Sequence, residues 1–168
     1  MRRCRHLIGL MLVSLMSEML CIASFAGEMV QPEVSRVEVV LANQYRGREA
    51  ELKKEFVRAG LGNVHLQFAR MGQPPQNIGV GREVPAERAR EAIRLAIKYN
   101  LGIVILLPER LFPPRFITIA SSNYDDTVEY AIHEDTLVKL RAPELTTEAF
   151  HRLYRDLTAG VVNSARRY

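Results

Sequence analysis

Cysteine is nearly missing from this sequence. The chain has two in 168 residues, Cys4 and Cys21, and both fall before residue 27. Beyond that point there is no thiol for a disulfide or a thiolate nucleophile. Asn-x-Ser/Thr acceptors are absent altogether, so N-glycosylation has no site. A charge excess is lacking too. The formal net charge is +4, and three arginines against one glutamate in residues 1–26 carry half of it. The remainder mixes both signs, which is an ordinary soluble surface and argues against nucleic acid as a partner.

Catalytic signatures are equally scarce. No Gly-x-Ser-x-Gly elbow occurs. Gly79-Val80-Gly81 precedes a predicted helix, but the third glycine of a dinucleotide loop would fall at Val84. Gly81 reads instead as a tight turn, and Gly79 as a place where a neighbour approaches closely. His133-Glu134-Asp135 has no second histidine three or four residues away, so the zincin pattern is absent. Asp125, Asp126 and Glu129 lack the glycine and alternating oxygens of a calcium loop. Ser121, Ser122, His133 and His151 leave a Ser/His/Asp arrangement open by residue type alone. The expectation is therefore no catalytic residue, no metal ligand and no cofactor.

Residues 1–26 read as a signal peptide. Arg2, Arg3 and Arg5 form a basic start, 7–16 is mostly apolar, and Ser24-Phe25-Ala26 places small residues where a signal peptidase reads. The rival is an uncleaved anchor over 7–26, in which Glu18 would cost roughly 2.5–3.5 kcal/mol. Export to the periplasm or the medium is the expectation, with N-terminal anchoring as the alternative and no membrane span after cleavage. A cysteine-free exported chain fits a bacterial envelope protein better than a small animal extracellular domain. Residues 27–35 are a polar lead-in, 36–160 one α+β domain, and 161–168 a fraying tail.

The stretch 77–108 organises that domain. It reads as strand, turn, helix and strand. Ala89, Ala92, Ile93, Ala96 and Ile97 recur at helical spacing, with Pro85 in the first turn and Asn100 and Gly102 as left-handed terminators. Arg90, Arg94 and Lys98 make a basic ladder on the outer face, partnered by nearby Glu87 and Glu91. Residues 103–107 are apolar throughout, which predicts a central strand covered on both faces. Upstream, 36–41 and 64–69 alternate as strands around a helix over 47–59 that ends at Gly60 and Gly62. The order β-α-β-β-α-β predicts a ferredoxin-like antiparallel sheet with helices on one face. One or two strands (116–121 and 128–132) and two short C-terminal helices (134–141 after His133, 147–158 after Thr146) extend it.

Alternation also nominates a binding surface. Glu38, His65, Gln67 and Asn77 fall on the sheet face opposite the helices, with Val40 and Gly79 among them. Polar side chains on a flat sheet suit an extended glycan or peptide.

Val37 to Leu41, the helix from Glu49, Ile78-Gly79-Val80-Gly81 and the helix from Ala86 to Tyr99 together resemble SPOR domains and the C-terminal domain of LytR-type proteins. The resemblance covers about 37–107. Leu41-Ala42-Asn43 stands where SPOR-type strands turn at a Gly-x-Phe-like corner, and Arg82-Glu83 replaces the Pro-Phe after the second glycine. The resemblance implies a βαββαβ module that binds peptidoglycan glycan strands. The functional expectation is an exported, non-catalytic binding module with cell-wall glycan or an envelope protein as partner. The alternatives are an accessory protein-interaction subunit and a small hydrolase with an unrecognised site.

Overall fold

Alternation of burial builds the sheet strand by strand. A computed structural model describes residues 34–70, 72–123 and 131–160. In β1 (Arg36–Leu41) Val37, Val39 and Leu41 are buried while Arg36, Glu38 and Val40 are exposed or half-buried. In β2 (Val64–Phe68) Val64, Leu66 and Phe68 are half-buried, and His65 and Gln67 are exposed. β3 (Asn77–Val80), β4 (Ile105–Leu107) and β5 (Phe116–Ile119) are buried almost throughout. Side chains that share a face in register sort into two sets. Val37, Val39, Ile78, Val80, Leu106, Ile117 and Ile119 join the helices in one core. Arg36, Glu38, His65, Gln67, Thr118, Asn77 and Gly79 lie on the second face.

The class is α+β, with a five-stranded sheet and two C-terminal helices, as expected. The strand order is β2-β1-β5-β3-β4, and it differs from two split βαβ units. β1 pairs parallel with β2, and β3 parallel with β4. β5 enters between the two pairs, parallel to β1 and antiparallel to β3. The helix–strand order is compatible with both arrangements. What selects this one is β5 itself: Ile117 and Ile119 need the core, and Thr118 is also buried, so the strand is sheltered on both faces at the centre.

Among the described residues β4 is correspondingly an edge strand, not the central one expected. It is nonetheless buried on both faces, at 3–5 % exposure. Its edge is partly closed where the Ile132 N–H donates to the Val104 carbonyl at 2.8 Å. Of the expected strand 128–132, residues 128–130 lie outside the described residues, as do the expected signal peptide (1–26) with Cys4 and Cys21, the Asp125/Asp126/Glu129 stretch and the tail 161–168.

Among the described residues, four α-helices cover the core face. α1 (Glu49–Arg58) buries Leu52 and Phe56 and ends at Gly60, whose φ of +74° suits only glycine well. α2 (Ala86–Tyr99) buries Ala89, Ala92, Ile93, Leu95 and Ala96, and the small alanines let it lie close on the sheet. Pro85 stands at its N-cap rather than within the first turn, and Thr147 Oγ1 accepts the Ala86 N–H at 3.2 Å. At its C-terminus Leu101 and Gly102 take the positive φ values, and Asn100 does not. The basic ladder is fully engaged: Arg94 pairs with Glu91 at 2.8 Å, Lys98 with Glu55 of α1 at 2.8 Å, and Arg90 donates to the carbonyls of Ala142 and Leu145. α3 (Glu134–Leu140) follows His133, whose side chain makes no cap bond. α4 (Thr147–Thr158) is capped by Thr146, which accepts the Ala149 N–H at 3.2 Å.

Ile93 is fully buried in the middle of α2. Ile93→Asp would place an unpaired carboxylate in the core, at a cost comparable with a small domain's whole stability of ~5–15 kcal/mol. A thermal melt should show no cooperative transition near the wild-type temperature.

Candidate functional site

The second face of the sheet is divided. Over β1 and β2 it is open, and strand register sets its side chains in rows. Glu38 stands opposite His65, and Val40 opposite Gln67. Arg36 joins the row by pairing with Glu38 at 2.7 Å, both partly exposed. Next to this shelf stands an aromatic wall. Phe112 and Phe116 stack with centroids 5.9 Å apart. Phe112 reaches over Gly79, where a Cβ would come within 2.3 Å of its ring and 2.9 Å of Thr118. The close approach expected at Gly79 is therefore made by Phe112. Gly81 closes its turn through the Val84 N–H and also admits the Pro113 carbonyl, 2.2 Å from where a Cβ would sit.

The structure thus brings three of the four nominated side chains, Glu38, His65 and Gln67, onto one open surface. Asn77 is separated from them. It is 1 % exposed, on the covered half, and its amide is spent on the main chain of Ser121: Nδ2 donates to the Ser121 carbonyl at 3.0 Å and Oδ1 accepts the Ser121 N–H at 2.8 Å. Arg36 and the Phe112/Phe116 pair complete the surface and were not nominated. The alternation of β1 pointed at Arg36, whereas the aromatic wall depends on where residues 109–112 turn back.

A second polar cluster lies inside. On α4, His151 is buried between two acceptors. Its Nδ1 meets Glu109 Oε1 at 2.5 Å and its Nε2 meets the Val84 carbonyl at 2.7 Å. A carbonyl only accepts, so Nε2 is the donor to Val84, and Nδ1 faces the carboxylate. Arg155 adds a contact to Glu109 Oε2 at 3.5 Å. One turn on, the Tyr154 hydroxyl reaches the carbonyls of Leu107 at 2.9 Å and Ile78 at 3.1 Å. Burial pushes the Tyr154 phenol far up, so it stays a donor. Both nitrogens of His151 are occupied, by neither serine nor water-facing groups. This cluster fastens α4 to the start of α2 and to the end of β4. Ser121 is held by Asn77, and His133 is exposed on the way into α3.

A groove of about 340 Å³ runs between the end of α2 and α3, lined by Ile97, Leu101, Ile103, Leu137 and Val138, with Glu134 and Arg141 among its polar residues. Leu101 and Val138 are 68 % and 60 % exposed. Among the described residues no group of three His, Cys, Asp or Glu side chains is placed to hold a metal ion, and no helix is long and apolar enough to cross a membrane.

At the α1–α2 contact, burial raises the pKa of the Glu55 carboxyl, but hydrogen bonds from Lys98 and Tyr99 and the Lys98 and Arg94 charges outweigh it. The net value lies below the ordinary carboxylate range. A depressed carboxylate stabilises the fold above its unfolded pKa, and loses that contribution as pH falls through the folded value. Chemical denaturation of Glu55→Gln and wild type should therefore differ near neutral pH, begin to converge near the unfolded value of about 4, and coincide once pH is below the folded value.

His151→Leu should be costly, about 3–5 kcal/mol, because it removes the buried partner of the Glu109 carboxylate and leaves it the longer 3.5 Å contact of Arg155. Adding Glu109→Leu should recover a large part of the loss, which a double-mutant cycle by denaturant titration would read directly.

Compared with protein-family models, with curated proteins and with solved structures, the chain matches none.

Proposed function

We propose that the protein is an exported, non-catalytic binding module whose ligand surface is the open half of the second sheet face. The ligand class is an extended polar polymer, with a peptidoglycan glycan strand first and a segment of an envelope protein second. One observation carries the reading: Glu38 and His65 are cross-strand partners on the open face, Gln67 follows two residues along β2, and the stacked rings of Phe112 and Phe116 flank the same face. Hydrogen-bonding groups next to an aromatic flank are what a sugar polymer needs, since it offers hydroxyls at its rim and apolar C–H faces. The surface is flat and open, which favours holding a polymer over enclosing a small substrate. The buried His151–Glu109 pair supports the non-catalytic part, because it is 4 % and 7 % exposed and internally satisfied.

An accessory protein-interaction role is the second reading. The groove with exposed Leu101 and Val138 favours it, because large apolar side chains at a concave surface suit a protein partner.

The double substitution His65→Ala with Gln67→Ala tests the first reading without touching the core. Losing hydrogen bonds of about 0.5–1.5 kcal/mol each should weaken binding to purified cell-wall sacculi about five- to a hundred-fold in co-sedimentation. Both side chains are exposed, so stability should move by less than ~0.5 kcal/mol. Unchanged co-sedimentation would remove this face from consideration.

A further inference from the structure

The two edges of the sheet are treated differently. β4 is three residues long, buried, and receives a bond from Ile132 next to its start. β2 closes the other side of the sheet, and among the described residues nothing pairs with its outer edge.

Register identifies which groups are free. The Val37 N–H donates to the Asn63 carbonyl at 3.2 Å, and the Ala69 N–H to the Leu41 carbonyl at 2.8 Å. In a parallel ladder each residue turns both its main-chain groups to one side, and successive residues alternate. Asn63, His65, Gln67 and Ala69 therefore face β1. Val64, Leu66 and Phe68 present their N–H and C=O groups outward. The strand between them contains no proline, no bulge and no formal charge, the usual devices that blunt an edge.

The surroundings of that edge are basic. Arg46 sits over the Phe68 ring, 5.9 Å from its centroid, and Arg70 is exposed just past the strand. On α1, Glu55 reaches across to α2, so at 100° per residue Lys53 and the 57 % exposed Val57 fall on the opposite flank, toward the free edge. Arg46, Lys53 and Arg70 have no carboxylate partner among the described residues, against the carboxylate of Glu49 in the helix's first turn. Two such edges would bring like charges together, which disfavours a second copy of this chain.

We infer that the outer edge of β2 takes an extended acidic polypeptide as an additional strand. The main-chain groups of Val64, Leu66 and Phe68 supply the hydrogen bonds. Arg46, Lys53 and Arg70 select for acidic side chains, and Val57 offers an apolar contact. This goes beyond the glycan reading and does not rest on it. The groups involved are main-chain, and the His65/Gln67 substitutions leave them intact.

The test uses the purified protein with a fluorescent peptide of alternating threonine and glutamate, beside its threonine–lysine counterpart. The acidic peptide should bind at least about tenfold more tightly at low salt, and that preference should shrink as added salt shortens the screening length to about 10 Å at 0.1 M. Amide hydrogen exchange should slow at Val64, Leu66 and Phe68 when the acidic peptide is present. Leu66→Pro removes an outward N–H that serves no internal bond, so a folded variant should lose binding at least about tenfold. Lys53→Glu with Arg70→Glu, both at exposed positions, should abolish the preference for acidic peptide whether or not the proline variant folds. Equal binding of the two peptides, or protection that bypasses the three β2 amides, would overturn the inference. So would a dimer in sedimentation equilibrium that Leu66→Pro dissolves, since the occupant would then be a second copy.

Discussion

β5 is the strand on which the sheet depends. Among the described residues, β1 and β3 never pair with each other, and the two βαβ units meet in the sheet through Phe116–Ile119 alone. That strand must satisfy two directions at once, parallel to one neighbour and antiparallel to the other. It must also be apolar toward the helices and tolerate cover on the other face, which Ile117, Ile119 and Thr118 do. The contact is distant along the chain: Ser35 and Arg115, 80 positions apart, are joined by two hydrogen bonds at the entrance to this pairing. Closure entropy rises only logarithmically with such a span, but pairings of this kind place the fold among the slower topologies.

The helices are fastened to this sheet by polar side chains as well as by apolar ones. α4 buries Phe150, and beside it His151 and Tyr154, which answer carbonyl groups within β3, at the end of β4 and before α2. Each of these carbonyls would otherwise be desolvated at the cost of a lost hydrogen bond. The arrangement is demanding, since every partner must be present, and it gives α4 one seat and one rotation. It also explains why a histidine–carboxylate pair, which elsewhere signals acid–base chemistry, is structural here: it has no solvent-facing nitrogen left.

Local patterns were legible in the sequence, and their assembly was not. The stripe of Ala89, Ala92, Ile93 and Ala96, the Thr146 cap and the alternation at Val37, Val39 and Leu41 were each readable because they depend on residues a few positions apart. The place of β5 was not, because Phe116–Ile119 looks the same at an edge as at the centre. The double burial of Ile105–Leu107 was predictable from its unbroken apolar run, while its position at the edge of the sheet was not. For the proposed binding surface, alternation placed Glu38, His65 and Gln67 on the second face, where they lie. It also placed Asn77 there, and could not show that the face changes from open to covered between β1 and β3. His151 could have been noticed, since it occupies a core position of α4 one residue after Phe150 and three before Tyr154. A polar residue in an apolar stripe implies a buried partner, but not that the partner is Glu109, 42 positions away.

Gly79 and Phe112 occupy one volume between them. A methyl group at position 79 would fall inside the Phe112 ring's own contact distance, with the Thr118 methyl close behind it. Gly79 is therefore not free to vary alone. In evolutionary terms the pair should drift together: a lineage that gained alanine at 79 would have to shrink or displace the side chain at 112. With that ring would go the aromatic flank of the open shelf, so a change of one methyl group in the middle of a strand would alter what the surface offers to a ligand.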